Sequence, residues 1–171
     1  MTAPAAIRPA TLADDPALRA LDDATWSAAT SPGPLPAPGA PFFDARTRPE
    51  DVLVALAGDA VAGYVKLDPP TPLASNRHVV AITGLAVDSA HRRRGVARAL
   101  LDAAAAEARA RGARRLTLRV LAPNTAARGA YEAAGFVVEG TLRGEFLLDG
   151  RYVDDVLMAL DLTLAPAPRC G

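Results

Sequence analysis

Apolar positions along the chain change period several times, and each change marks an element. Residues 5–8 form a short extended run stopped by Pro9. Thr11 is placed to cap the next element, and Leu12, Leu18, Leu21 and Trp26 recur at roughly helical spacing, which predicts a first helix running to Trp26. From Ser31 to Pro49 the prolines at 32, 34, 36, 38 and 41 interrupt any regular period, so this stretch reads as a long loop, either functional or a surface excursion. Val52–Ala57 and residues 61–67 read as two strands of a hairpin turning at Gly58-Asp59. Pro69, Pro70 and Pro72 open another loop, and Val79–Val87 follows as an apolar strand rich in β-branched residues. Residues 92–111 place Val96, Leu100, Ala103 and Ala110 on one face, which predicts an amphipathic helix closed by Gly112. Arg115–Leu121 alternates as a strand, Pro123-Asn124 starts a further helix closed by Gly135, and residues 136–139, 145–148 and 152–160 supply the last strands, with Asp149-Gly150 as a tight turn.

The order is β-α-ββ-β-α-β-α-ββ, with strands outnumbering helices and two crossover helices in the second half. The economical solution is an α/β (α+β) fold, a mixed sheet with helices on both faces. The 171 residues suit one domain, taken as residues 1–162, followed by a Pro-containing tail at 163–171 that is expected to be flexible. A hydrophobic content of 50% with 22% charged residues belongs to a chain with a packed core rather than a disordered one. Formal net charge is zero, which gives no electrostatic argument for nucleic acid or an anionic membrane as partner. Cys170 stands alone near the C-terminus and can neither staple the fold nor build a metal cluster. Residues 1–12 lack the basic flank and apolar run of a signal peptide, and no stretch nears the roughly 18 apolar residues of a membrane span. The expectation is a cytoplasmic protein in a reducing compartment, with no metal.

One segment is locally out of place. His91-Arg92-Arg93-Arg94-Gly95-Val96-Ala97-Arg98 joins an apolar strand to an amphipathic helix, with arginines crowded at the helix start. A helix N-terminus carries about +0.5 charge, so each cation there costs roughly 0.3–1 kcal/mol. The natural compensation is an anion, because free N–H groups and the dipole already favour phosphate at that point and Gly95 puts no Cβ in its way. The three glycines of a dinucleotide loop and the Gly-Lys-Ser/Thr of a P-loop are missing. A diphosphate held by a shorter loop and a solvated basic turn are the two readings that charge alone leaves.

A second constellation lies downstream, from Asn124 to Phe136. Asn124 and Tyr131 are seven apart, and at roughly 100° per residue that returns to nearly one helix face. They could address one ligand together; equally, Asn124 could be a helix cap and Tyr131 a half-buried aromatic.

Taken together, Arg92-x-x-Gly95-x-Ala97 after the strand and Asn124-x6-Tyr131-Glu132-x-x-Gly135-Phe136 after the next strand resemble the two signatures of the GNAT superfamily of N-acetyltransferases. The segments at 138–143 and 149–154 are similar to the branch containing ribosomal-protein and polyamine acetyltransferases. The likeness covers roughly residues 7–160 and is strongest from Leu85 onward. It implies a mixed, mostly antiparallel twisted sheet with a splayed central strand pair, and acetyl-CoA as acetyl donor to a primary amine that attacks the thioester directly. It implies that Arg92, Arg93, Arg94, Gly95, Val96, Ala97 and Arg98 cradle the pyrophosphate, and that Leu85, Ala86 and Val87 meet the pantetheine arm, an amide near Leu85 or Ala86 facing the thioester oxygen. Asn124 would hold the arm or order a water, and Tyr131 would serve the leaving thiolate. A free phenol has a pKa of about 10 and an alkyl thiol about 8.5, so a hydrogen bond to the thiolate is the firmer part of that role.

Many family members carry a glutamate on the strand before the anion loop to take the proton of the acceptor. Val79–Val87 has no carboxylate, which leaves Glu50, His78, Glu145, Asp154, a water chain or solvent. The acceptor, a small-molecule amine or a protein or peptide amine, should be chosen by the first helix, the 31–49 loop with Phe42, Phe43 and Asp44, and the final hairpin. Clustered acids that a polyamine would want are not seen. Relatives of this branch often form homodimers. The rival reading is a regulatory module that binds acetyl-CoA without turnover, favoured by the missing strand carboxylate and disfavoured by Tyr131.

Overall fold

A computed structural model describes residues 6–34 and 36–164. Ala5 of the expected first strand, and the tail beyond Leu164 with Cys170, lie outside the described residues. Ten principal elements follow one another: β1 (Ala6–Pro9), α1 (Asp15–Thr25), β2 (Val52–Ala57), β3 (Ala60–Asp68), β4 (Val79–Val87), α2 (Val96–Ala110), β5 (Arg115–Leu121), α3 (Thr125–Ala133), β6 (Val137–Leu148) and β7 (Arg151–Asp161).

The strands form a single seven-stranded sheet in the order β1-β2-β3-β4-β5-β7-β6. Every neighbouring pair is antiparallel except β4 and β5, which run parallel because α2 carries the chain across between them. The inner strands are buried on both faces, and their side chains divide between two cores. Val52, Val54, Tyr64 and Ala86 pack with Leu18 and Leu21 of α1 on one side. Leu53, Ala55, Val65, Leu67 and Ile82 pack on the other with Leu100, Leu101, Ala104 and Ala108 of α2 and with Tyr131 of α3. This alternation is the period of two expected of a strand with a helix on each face.

Four boundaries differ from the sequence reading. Leu12–Asp14 is a separate 3-10 turn, and α1 starts at Asp15, where Pro16 sits in the first turn. Trp26 is not part of the helix; it lies in extended conformation and donates its indole N–H to the Gly33 carbonyl at 3.1 Å. Arg92–Arg94 precede α2 rather than opening it, and the buried stripe of α2 runs through Val96, Leu100, Leu101, Ala104, Ala105 and Ala108, leaving Ala110 exposed. Residues 136–139 and 145–148 are not two strands. They belong to the single strand β6, whose pairing with β7 slips between Val138 and Gly140 and again between Leu142 and Phe146. Those two irregularities broke the alternation that would have marked one long strand. Phe136 stays out of the strand and is buried. The turn at Asp149-Gly150 is as expected, with both residues at positive φ, 48° and 73°, as a tight hairpin turn demands. Among the described residues no helix is long and apolar enough to cross a membrane.

Candidate active site

The only parallel pair in the sheet is also where it opens. β4 and β5 are in register over four residues alone, Val79 to Ile82 against Arg115 to Leu118. β4 then continues to Val87 and β5 to Leu121 without pairing to each other. The cause lies on the other side of β4. Lys66 faces Gly84 while Leu67 faces Ile82, so Thr83 is an extra residue, a bulge at the point where β4 leaves β5. A bulge bends and twists its strand, which here turns β4 away.

This opening exposes a particular set of backbone groups. Past the end of β4, the Asp88 amide donates to the Ala62 carbonyl of β3 at 2.9 Å. Backbone groups alternate between the two edges of a strand, so the amides of Val87 and Leu85 face the gap and that of Ala86 faces β3. Of the three strand residues expected to meet the pantetheine arm, Leu85 and Val87 thus turn their amides to the gap. Ala86 does not; it pairs with Tyr64 and its side chain is buried in the α1-side core.

The loop from β4 to α2 lies at the end of the gap. Its first turn is fixed by Asp88, whose carboxylate accepts the Ala90 amide at 2.7 Å. Arg93 and Gly95 then take left-handed backbone conformations, φ 58° and 80°, before α2 begins at Val96. The first amide after Arg92 to find an acceptor is that of Ala99, bonded to the Gly95 carbonyl at 2.9 Å. The amides of Arg93 through Arg98 have none among the described residues, and no side chain caps the helix. Six consecutive unpaired donors at the positive end of a 15-residue helix form a concave set suited to phosphate oxygens. A Cβ on Gly95 would meet nothing within 4 Å, so the glycine is required here by its φ, and the space over it is open.

The arginines divide. Arg92, Arg93 and Arg94 are exposed, and Arg93 and Arg94 have no ion-pair partner among the described residues. Arg92 Nε donates to the Val87 carbonyl at 3.3 Å. Arg98 is engaged in structure, bonding Asp102 at 2.9 Å and the Ala133 carbonyl at 2.6 Å, which ties α2 to the end of α3.

Since β4 and β5 are parallel, the starts of α2 and α3 emerge at the same end of the sheet, the carboxyl end, where open α/β sheets take their ligands. Asn124 caps α3, its Oδ1 accepting the Ala127 amide at 3.2 Å. The capping reading thus holds in this structure, while the amide nitrogen and the second lone pair of the oxygen are left for a ligand. Tyr131 is 7% exposed, packs against Phe136 with ring centroids 5.9 Å apart, and its hydroxyl has no hydrogen-bond partner among the described residues. Burial alone pushes its phenol up to about 12.

The four residues weighed as proton acceptors fall in different places. His78 precedes β4 at the end opposite the anion loop, about 30 Å along the strand from Val87 at ~3.3 Å per residue, and its carbonyl anchors the amides of Arg114 and Arg115. Glu50 is exposed and paired with Arg48 at 3.1 Å. Glu145 and Asp154 are at the correct end of β5 but committed: Glu145 to Arg119 at 3.1 Å, and Asp154 to the Gly144 amide at 2.8 Å. Arg119 is also bound to the buried Asp155. The structure therefore does not bring the four together.

It brings together a pair that sequence reasoning missed. Tyr64 of β3 donates its hydroxyl to Asp22 Oδ1 of α1 at 2.6 Å, and its ring lies across Gly84 of β4. The available signal was Asp22 falling four residues after the buried Leu18, an acid on the core face of a helix, together with a tyrosine among buried strand positions that needed a partner for its hydroxyl.

Residues 16–136 match the model of the acetyltransferase (GNAT) family. Over 82 residues the chain is 40% identical to the [ribosomal protein bS18]-alanine N-acetyltransferase of Escherichia coli K12, a match that takes in 47% of this chain and 54% of that one. The chain thus spans about half the length of the curated relatives it matches. Among solved structures, a Streptococcus mutans UA159 protein is 32% identical, with a TM-score of 0.82 over 92% of this chain and 99% of that one. The ribosomal-protein-alanine N-acetyltransferase of Brucella melitensis is 28% identical, with a TM-score of 0.74 over 91% and 99%.

Proposed function

Because the chain belongs to the acetyltransferase (GNAT) family, we propose that it is an N-acetyltransferase that moves the acetyl group of acetyl-CoA to a primary amine by direct attack on the thioester. One observation carries the reading: six unpaired amides, Arg93 through Arg98, stand at the mouth of a gap between two parallel strands that do not pair with each other past Ile82 and Leu118. That arrangement fits the pyrophosphate and the pantetheine arm of acetyl-CoA. The loop amides, with Arg93 and Arg94 beside them, are donors for the pyrophosphate. Val87 and Leu85 offer strand-edge amides to the amide-bearing arm, as another strand would.

Acetyl-CoA supplies the activated acyl group; the rest of the work falls to the chain. The Leu85 amide, fixed in the sheet and pointing into the gap, is placed to stabilise negative charge developing on the thioester oxygen. Tyr131 donates a hydrogen bond to the departing sulfur. With its phenol at about 12 and a thiol near 8.5, it gives up its proton only at a cost, so solvent completes the protonation of the thiolate. Asn124 contributes as the cap that fixes the start of α3.

For the acceptor we propose the α-amine of an alanine-headed protein or peptide. The relatives named alanine N-acetyltransferases support this, as does the α-amine's pKa near 8, which leaves a useful neutral fraction at physiological pH. A reducing cytoplasmic setting belongs to the same reading. The rival of a silent acetyl-CoA-binding module rested on the missing carboxylate of β4, and a carboxylate is present nearby, on α1. The experiment is thiol release from acetyl-CoA against a panel of small amines, amino acids, polyamines and peptides with varied N-termini, alongside acetyl-CoA binding to Gly95→Asp. We expect release with alanine-headed peptides and loss of binding in a folded Gly95→Asp protein. A folded variant of unchanged affinity would sink the phosphate cradle.

A further inference from the structure

The gap between β4 and β5 has two faces, and the acetyl donor uses one of them. α2 and α3 pack on the same side of the sheet, with Leu85, Val87 and Tyr131. An amine attacking a thioester held there comes from the opposite face, the side of α1, where Tyr64 and Ala86 pack. On that side the first residue past the bulge is Gly84, whose missing side chain would point at α1. A Cβ built there would lie 3.2 Å from Tyr64 Cε2 and 3.5 Å from its hydroxyl oxygen. The phenol thus sits over the strand residue adjacent to Leu85.

Its orientation is not accidental. Tyr64 Oη is 2.6 Å from Asp22 Oδ1, and Asp22 is fixed in turn by Arg19 at 2.7 Å through its other oxygen. Phe42 stands edge-on to the Tyr64 ring, centroids 5.1 Å apart at 76°, and to Phe43 at 5.2 Å. The amides of Phe42 and Phe43 both donate to Asp15 of α1 at 3.0 Å, which docks the end of the long loop against this face. Because the Tyr64 hydroxyl donates its hydrogen bond to a carboxylate, its oxygen presents lone pairs and no competing donor. The charged groups that face the pair are Asp22 and Arg19 from α1 and Lys66 from β3, the last engaged with Thr47 at 2.9 Å and Asp68 at 3.3 Å.

We propose that Tyr64 is the residue that receives the acceptor amine, and that Asp22 positions it. This inference rests on the acetyltransferase reading and supplies the proton path that β4 lacks. The amine N–H donates to Tyr64 Oη. As the N–C bond forms, the C–S bond breaks and its electron pair leaves with sulfur. The surplus proton on nitrogen passes to Tyr64 Oη while the phenol's own proton moves to Asp22, so charge never accumulates on the phenol. Gly84 is set by space rather than by the backbone: its φ is not in the left-handed region, and a Cβ would press on the Tyr64 ring, which would have to give by a few tenths of an ångström.

The test uses the intact protein, acetyl-CoA and an alanine-headed hexapeptide, with three readouts: acetyl-CoA affinity, kcat and KM for the peptide, and calorimetric affinity of the peptide for protein saturated with CoA. Tyr64→Phe keeps the ring and removes the oxygen; we expect kcat/KM to fall about 10²-fold with acetyl-CoA affinity unchanged and peptide affinity weakened. Asp22→Asn should lose at least as much, because an amide oxygen still accepts a hydrogen bond from Tyr64 but cannot take up its proton. Gly84→Ala, which displaces the phenol without touching its chemistry, should raise the KM for the peptide and spare acetyl-CoA affinity. Variants that acetylate the peptide within twofold of the wild type overturn the inference and leave the acetyltransferase reading standing. Loss of acetyl-CoA affinity in Tyr64→Phe would make the tyrosine a packing residue and overturn it too. Wild-type protein that binds acetyl-CoA but neither binds nor acetylates the peptide overturns the alanine-headed acceptor and this inference with it; wild-type protein that binds no acetyl-CoA overturns the acetyltransferase reading itself.

Discussion

Tyr131 shows how burial sets the chemistry of a single side chain. Its phenol is raised to about 12 by desolvation, about 3.5 units above a free thiol, a gap worth roughly 5 kcal/mol at 1.36 per unit. It therefore stays neutral across any working pH, as the proposed role of hydrogen-bond donor requires. Two outcomes are expected. Tyr131→Phe should lower kcat about 10²-fold while acetyl-CoA affinity, measured by calorimetry, stays within a few fold. And kcat/KM should climb as the acceptor amine deprotonates, with no decline assignable to Tyr131 below about pH 11; a limb falling near pH 10 would contradict the buried setting. At this scale the sequence was partly legible. Tyr131, Gly95 and the arginines could be singled out by residue type and spacing. The pairing of Tyr64 with Asp22 could not, because they are 42 residues apart and meet only across the α1 face.

Asp14 governs an element boundary. Its carboxylate accepts from Nη1 and Nη2 of Arg8 at 2.8 Å each and from the Thr11 amide at 2.7 Å, joining the end of β1 to the turn that starts α1. The Arg8 hydrogen bond holds this carboxyl well below the usual carboxylate range despite its burial. A depressed folded pKa contributes stability that is present above the unfolded value near 3.9 and lost as pH falls through the folded one. Asp14→Asn should thus cost about 1–2 kcal/mol at neutral pH, and chemical denaturation should show the difference from wild type shrinking in strong acid. Among elements, the helix stops were the best read. Gly112 and Gly135 each follow their helix as expected, with Ala113 bonding back to Ala108 at 2.9 Å and Phe136 to Tyr131 at 3.0 Å. The starts were read less well, because the arginines before α2 match the helical period while their backbone is held in turns.

For the whole molecule, the gap between β4 and β5 is a surface of unpaired backbone, and a ligand that fills it should be coupled to stability. Acetyl-CoA at about 100 times its Kd should add roughly 2.7 kcal/mol, which for a chain of this size is a rise in Tm on the order of 5–10 °C. A thermal-shift titration reads this directly, and a flat response at saturating acetyl-CoA would contradict the placement of the donor in the gap. The sequence by itself determined the order and kind of the elements, the loop proposed to bind an anion and the helix that carries Tyr131, since these depend on periodicity, on glycine at Gly95 and on spacings within one helix. Only the tertiary structure decided the site. Thr83 bulges because β3 and β4 pair out of step, and that bulge opens the sheet where β4 leaves β5; neither is written in any local run of residues. The same long-range packing lays Tyr64 over Gly84 and sets Asp22 against Tyr64, so the face proposed for the amine's approach is built by contacts between segments far apart in the chain.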